Sequence, residues 1–230
     1  MKYSGKYKAF IFDLNGTMIN DQSYHVRSWH HILNILGANI SLERMKEECY
    51  GKNHELLERI FPKRFSEEEK KRLSFEKEKQ YQEDFRPHLK LLPGLQEFLK
   101  EALGAGMKLG IGSAAIQNNI DYVLDGLNIR KYLNAIVSAD DVTKSKPHPE
   151  TFLRCAEKLG ITPDNCLVFE DAPKGAEAAM NAGMDCIIIT IFHTKNEFIG
   201  YPNIRSFIND YSEVQINSGS LMKTKCSGLL

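Results

Sequence analysis

Asp13, Ser113 and the pair Glu170-Asp171 each follow a short apolar run, and Lys146 stands in Ser-Lys-Pro-His-Pro between the second and third of these positions. If the runs are parallel strands, their carboxyl ends converge on one crevice, which is where open α/β sheets bind ligands. Three carboxylates gathered there repel one another unless a cation lies between them, and hard oxygen donors favour Mg²⁺. Lys146 would add a compensating positive charge beside a phosphate. Singly, each residue has a plainer role. Asp13 opens an Asp-Leu-Asn-Gly turn, and Ser113 suits a helix N-cap. A Lys before Pro is ordinarily solvated, and Glu170-Asp171 would favour the positive end of the Ala-rich helix that follows. Their joint order and spacing is what points to phosphoryl transfer.

The elements that must hold these residues follow from the apolar pattern. Lys8–Phe12, Lys108–Ser113, Cys166–Phe169 and Cys186–Ile191 are continuous rather than alternating, as strands covered on both faces are. Between and after them lie helical stripes: Leu95, Phe98, Leu99, Ala102 and Leu103; Ile120, Val123, Leu124 and Leu127; Phe152, Ala156 and Leu159; Ala176, Ala179 and Met180. The third and fourth are closed by Gly160 and Gly183. This alternation predicts a doubly wound α/β core with a parallel sheet. Residues 21–88 contain no strand candidate. Val26, Trp29, Ile32, Leu33 and Leu36 form a stripe ended by Gly37, Ser41 opens a second helix, and Ser66–Glu69 is a capping box before a charged helix reaching about Gln82. The charged run Glu67–Lys79 reads as a solvated face. The expected organisation is a core of residues 1–20 and 89–216, an inserted all-helical cap of residues 21–88, and a flexible tail over 217–230.

Composition narrows the class. A chain of 230 residues with 42% apolar and 26% charged residues can bury a full core. Thirty Lys+Arg balance 30 Asp+Glu, so no global field points to nucleic acid. The longest apolar stretch, Cys186–Phe192, is too short to span a bilayer. The N-terminal residues lack the pattern of a secretory signal, and five widely spaced cysteines form no Cys-x-x-Cys pair. A cytoplasmic monomer acting on a small phosphorylated metabolite is the expectation, with neither nucleic acid nor membrane as partner.

Phe12-Asp-Leu-Asn-Gly-Thr17, Gly112-Ser113, Lys146-Pro147 and Phe169-Glu-Asp-Ala-Pro-Lys-Gly175 stand in the order of four successive motifs. By them the chain resembles the haloacid dehalogenase-like hydrolases, and within these the β-phosphoglucomutase-like subgroup with a small helical cap. The resemblance implies a Rossmann-like core and a Mg²⁺-dependent reaction in which Asp13 attacks phosphorus. It implies that Asp13, the backbone carbonyl of Asn15, Asp171 and Glu170 (directly or through water) hold the metal. Ser113 and the backbone around Leu14 and Ala114 would bind phosphoryl oxygens, Lys146 would stabilise charge, and Thr17 would brace the loop. In the cap, His25 would position the acid/base group. Gly51-Lys52-Asn53-His54 resembles the loop that sets substrate choice, with His54 at about the position where mutases carry an Arg and Lys52 as a substitute. Asn118 would contact substrate from the loop after the second strand.

Asn15 departs from the pattern, because phosphatases and mutases of this kind carry a second Asp there to protonate the leaving group. An amide neither gains nor loses a proton near neutral pH, so a contribution of roughly 10²–10⁴ in rate is lost unless another group supplies it. Three explanations stand side by side. The residue is a change that traps a complex; or His25 or the substrate transfers the proton; or the leaving group needs none, as in pyrophosphate or an acyl phosphate. A phosphonate hydrolase using a cap Lys is a further alternative. A catalytically silent protein that binds a phosphate ligand is the alternative of another class.

Overall fold

The computed structural model describes residues 2, 3, 5–217 and 220–223. The chain divides into two compact units, Met1–Asn20 with Lys90–Leu230, and Asp21–Leu89. The second unit is the expected helical insert. It consists of α1 (Gln22–Ile35), α2 (Leu42–Glu48), α3 (Asn53–Ile60) and α4 (Glu67–Phe85). Val26, Trp29 and Leu33 bury the stripe of α1, and Leu36 closes the helix before Gly37 takes a φ of 89°. The capping box at α4 forms as its sequence requires: Ser66 N–H donates to Glu69 Oε2 at 2.8 Å, and Glu69 N–H to Ser66 Oγ at 3.3 Å. The charged face of α4 is not wholly solvated, and this corrects the sequence expectation. Lys77 and Glu78 are 2% and 5% exposed because each finds polar partners inside the helical unit.

The first unit carries β1 (Lys2–Tyr3), β2 (Ala9–Phe12), β3 (Lys108–Gly112), β4 (Ala135–Val137), β5 (Cys166–Glu170), β6 (Asp185–Ile189), β7 (Ile204–Ile208), β8 (Val214–Asn217) and β9 (Ser220–Lys223). Its helices are α5 (Leu95–Gly104), α6 (Gln117–Gly126), α7 (Glu150–Leu159) and α8 (Pro173–Asn181). Six strands form one parallel sheet in the order β4-β3-β2-β5-β6-β7. The chain starts at the centre, winds outward to β4, then returns to β5 on the other side of β2. The carboxyl ends of β2 and β5 therefore flank the topological switch point. The fold is the doubly wound α/β core with an inserted helical cap.

Alternation along β2 explains its central place. Phe10 and Phe12 point to one face and Ala9 and Ile11 to the other, all four buried. On the first face Phe12 stacks on Phe169, its register partner in β5, at 5.0 Å between ring centroids, and Phe98 and Tyr211 complete the aromatic cluster. On the second face Ile11 packs with Phe152, Cys155 and Ala156 of α7. Gly110 and Gly112 let that helix approach: a Cβ on Gly110 would lie 2.6 Å from Cys155 Sγ. Burying one such aromatic or aliphatic side chain contributes about 1.5–3 kcal/mol.

Of the span 217–230, expected as a tail, Asn217 ends β8 and Ser220–Lys223 forms β9. Ser220–Lys223 pairs antiparallel with both β8 and β1 and completes a small second sheet; residues 218, 219 and 224–230 lie outside the described residues. Among the described residues no helix is long and apolar enough to cross a membrane.

Candidate active site

The sheet carries its hydrogen-bond ladder one residue beyond β2 and β3, and this fixes two functional side chains. Asp13 N–H donates to the Phe169 carbonyl at 2.9 Å, and Ser113 N–H to the Val137 carbonyl at 3.0 Å. The turn after Asp13 closes through Met18 N–H on the Leu14 carbonyl at 2.9 Å, with Gly16 at a φ of 74° that a side chain would strain. Asn15 is half-buried in that turn, whereas Thr17 is fully buried and its hydroxyl lies 3.5 Å from Asp171 Oδ1.

Lys146, on the segment leading into α7, binds two carboxylates at once. Its Nζ lies 2.7 Å from Asp13 Oδ1 and 2.7 Å from Glu170 Oε1, and its charge sits 4.5 Å from the Phe152 ring centroid. All three ionic groups are buried. Burial pushes the Asp13 carboxyl up to about 7, against the lowering effect of Lys146 and with the raising effect of Glu170; Ser113 also hydrogen-bonds to it. Burial pushes the Lys146 ammonium down, but its two carboxylate partners outweigh this and hold it above its ordinary value. A carboxylate so short of positive charge is one that a divalent cation would stabilise.

The residues present fit such a cation. Asp13, the Asn15 carbonyl and Asp171 offer hard oxygen donors around the ends of β2 and β5, and Mg²⁺ takes few protein ligands and keeps several waters. Among the described residues no three His, Cys, Asp or Glu side chains form a metal cluster. Glu170 is turned elsewhere: Oε1 accepts from Lys146, and Oε2 from the N–H groups of Asp171 and Ala172 at 2.8 and 2.9 Å. Its place here is as a brace for Lys146 and for the loop carrying Asp171.

The remaining expected residues fall as follows. Ala114 is half-buried directly after Ser113, whose Oγ accepts from Ala115 N–H at 3.2 Å. Asn118 is exposed and lies in the first turn of α6 rather than in the preceding loop, since Ile116 is already the N-cap. In the helical unit Gly51 has a φ of 75°, Lys52 is the half-buried N-cap of α3, and His54 is exposed in its first turn. Asn53 reaches Glu78 Oε1 at 2.7 Å.

His25 is no surface histidine. It is buried, stacks on Tyr81 at 3.8 Å between centroids, and takes Lys77 Nζ at 2.5 Å on Nδ1. With the ammonium donating, Nδ1 accepts, which leaves the proton on Nε2, 3.3 Å from Asp21 Oδ2. Tyr81 donates to the same oxygen at 2.5 Å, and Lys77 also meets Glu78 at 3.1 Å. Sequence reasoning missed Lys77, Glu78, Tyr81 and Asp21. The signal was present: Leu73, Lys77, Tyr81 and Phe85 recur at four-residue spacing, so Lys77 occupies the buried stripe of α4.

Comparison with known proteins agrees with this geometry. The family model for haloacid dehalogenase-like hydrolases matches residues 10–189. The chain is 33% identical to β-phosphoglucomutase of Bacillus subtilis (strain 168), over 77% of this chain and 80% of that protein. It is 28% identical to the fructose-1-phosphate phosphatase YqaB of Escherichia coli (strain K12), over 81% and 98%. Among solved structures, β-phosphoglucomutase from Clostridium difficile superposes with a TM-score of 0.79 at 29% identity, covering 91% of this chain and 93% of that one. With the four motifs gathered at the switch point of a doubly wound sheet, and most of the chain matched, the protein belongs to the haloacid dehalogenase-like hydrolases.

Proposed function

We propose that this protein is a Mg²⁺-dependent phosphatase or phosphomutase that acts on a small organic phosphate of the sugar-phosphate kind through a phospho-Asp13 intermediate. The observation that carries this reading is the buried Asp13 carboxylate at the switch point, held at 2.7 Å by Lys146. The names of the relatives, a sugar-phosphate phosphatase and a sugar-phosphate mutase, support the substrate class.

In this mechanism one carboxylate oxygen of Asp13 attacks phosphorus. An O–P bond forms, the ester O–P bond breaks, and the leaving oxygen departs with the bonding pair. Mg²⁺, held by Asp13, the Asn15 carbonyl and Asp171, would supply charge screening that makes a carboxylate an adequate nucleophile. Lys146 offsets charge on Asp13 and the transferring group. Ser113 and nearby backbone N–H groups, including that of Ala114, bind phosphoryl oxygens. Water or a second hydroxyl of the sugar then takes the phosphoryl group from Asp13. Thr17 keeps the Asp171 loop in register, and cap residues from Gly51 to His54, with Asn118 in the core unit, tune substrate choice. We place the reaction in the cytoplasm.

Asn15 cannot give a proton to the leaving oxygen. Either another group does, for which His25 is the buried imidazole of the helical unit, or the leaving group is good enough to need none. Asn15 also supports a second reading, a protein that binds the phosphate ester with little turnover.

The deciding experiment is a panel of sugar phosphates, nucleotides, acetyl phosphate and pyrophosphate assayed with Mg²⁺. Turnover abolished by Asp13→Ala supports the mechanism. Turnover indifferent to that substitution refutes it.

A further inference from the structure

Gly175 is the third residue of α8, in a helix whose other small positions are alanine: Pro-Lys-Gly-Ala-Glu-Ala-Ala-Met-Asn. Its backbone does not take a left-handed φ, so nothing in the chain conformation requires glycine. By helix propensity alone alanine would serve better. The requirement is steric and local. A Cβ at Gly175 would lie 1.8 Å from Glu170 Oε1, 1.9 Å from Cδ and 2.4 Å from Oε2. The whole carboxylate of Glu170 rests on the bare Cα.

That carboxylate has no spare contact to give up. Oε1 accepts from Lys146 Nζ at 2.7 Å, and Oε2 accepts from the Asp171 and Ala172 N–H groups. Lys146 in turn reaches Asp13 at 2.7 Å. A side chain at residue 175 must therefore push the Glu170 carboxylate off Lys146, off the loop carrying Asp171, or both.

We infer that Gly175 is a positioning residue: the open seat above its Cα fixes Glu170, and through Glu170 sets the ammonium of Lys146 on the nucleophile Asp13. The catalytic part of this inference rests on the proposed phospho-Asp13 mechanism; the steric part does not. Misplacement of a reacting group by about 1 Å can slow a reaction on the order of 10²-fold, and that is the effect expected of Gly175→Ala.

The test uses four full-length proteins: wild type, Gly175→Ala, Glu170→Ala and the double variant. Each is assayed for Mg²⁺-dependent hydrolysis of 4-nitrophenyl phosphate and melted by circular dichroism. Gly175→Ala should slow turnover on the order of 10²-fold in the wild-type background and should not slow it further once Glu170 is Ala. Its melting temperature should fall in the first background and hold or rise in the second, where alanine is simply the better helix former. A Gly175→Ala protein within twofold of wild-type turnover overturns the inference, as does an equal loss in turnover or melting temperature in both backgrounds. If Gly175→Ala alone does not fold, a folded double variant supports the inference and an unfolded one overturns it. A wild type that turns over neither this ester nor any member of the phosphate panel would sink the functional reading, and the melting comparison would still judge the seat.

Discussion

The Nζ of Lys146 lies 2.7 Å from Oδ1 of Asp13, with both side chains buried. A buried carboxylate that loses this partner is driven further toward its neutral form, which is not a nucleophile. Lys146→Met should therefore lower kcat for 4-nitrophenyl phosphate by about 10²–10³-fold, the scale of losing one charge-stabilising donor. Steady-state kinetics at saturating Mg²⁺ checks this, and retention of more than a tenth of the activity would rule out the role given to Lys146.

Asn15 makes a prediction that depends on the substrate. With an ester whose alkoxide leaves poorly, such as a hexose 6-phosphate, Asn15→Asp should raise kcat by about 10²–10⁴-fold. With 4-nitrophenyl phosphate, whose phenolate leaves without help, the same change should do little. A comparable gain on both esters would mean that residue 15 acts through something other than proton transfer.

In the helical unit Lys77 is 2% exposed and meets His25, Glu78 and the faces of Trp29 and Tyr81. Lys77→Met removes a charge that these groups are arranged around. Breaking a buried ion pair costs roughly 3–5 kcal/mol, and because Glu78 keeps Asn53 the loss should fall at the low end of that range. Denaturant titration measures it. Adding Glu78→Gln to Lys77→Met should restore part of the loss, and an additive further loss would argue against the pairing.

Asp185 gives the fold an acid-sensitive point. Burial pushes its carboxyl up, but Arg205, Lys6 and Tyr7 donate to it at 2.6 Å each and hold it down at about 2. A folded value below the unfolded one of roughly 3.9 stabilises the fold in full above that unfolded value and loses its effect as pH falls toward 2. Asp185→Asn should lower the urea midpoint at pH 6 and approach the wild-type midpoint near pH 2. A constant difference across that interval would show that the cluster does not titrate.

Much of the site was legible in the chain because apolar runs mark strand ends, and the residue after a buried strand is where a parallel sheet presents chemistry. Asp13, Ser113 and Asp171 stand out as candidates in that way, and Lys146 by the motif order. What stayed hidden depended on partners distant in sequence. Lys77 stands in a run of charges that looks solvated, and nothing local announces His25, 52 residues earlier. Gly175 looks like an ordinary helix-start glycine until the Glu170 carboxylate is placed above it. Ala135–Val137 is too short for a pattern, and Ile204–Ile208 is a half-exposed edge strand with a charged residue inside it. The neighbours of Asn118 read as a loop because nothing in them shows that α6 begins at Gln117.

The position of β2 at the middle of the sheet also sets a timetable. Its neighbours are β3 and β5, so one flank stays unpaired until Cys166–Glu170 has been made, about 150 residues after β2 itself. At 5–20 residues per second this is a wait of roughly 7 to 30 seconds on the ribosome. Meanwhile the helical unit Asp21–Leu89, contiguous in the chain, has all its own residues available before β3 emerges. The strand that ends at Asp13, the proposed nucleophile, thus waits for its second neighbour long after it is made, and during that interval its four apolar residues are what a chaperone would find.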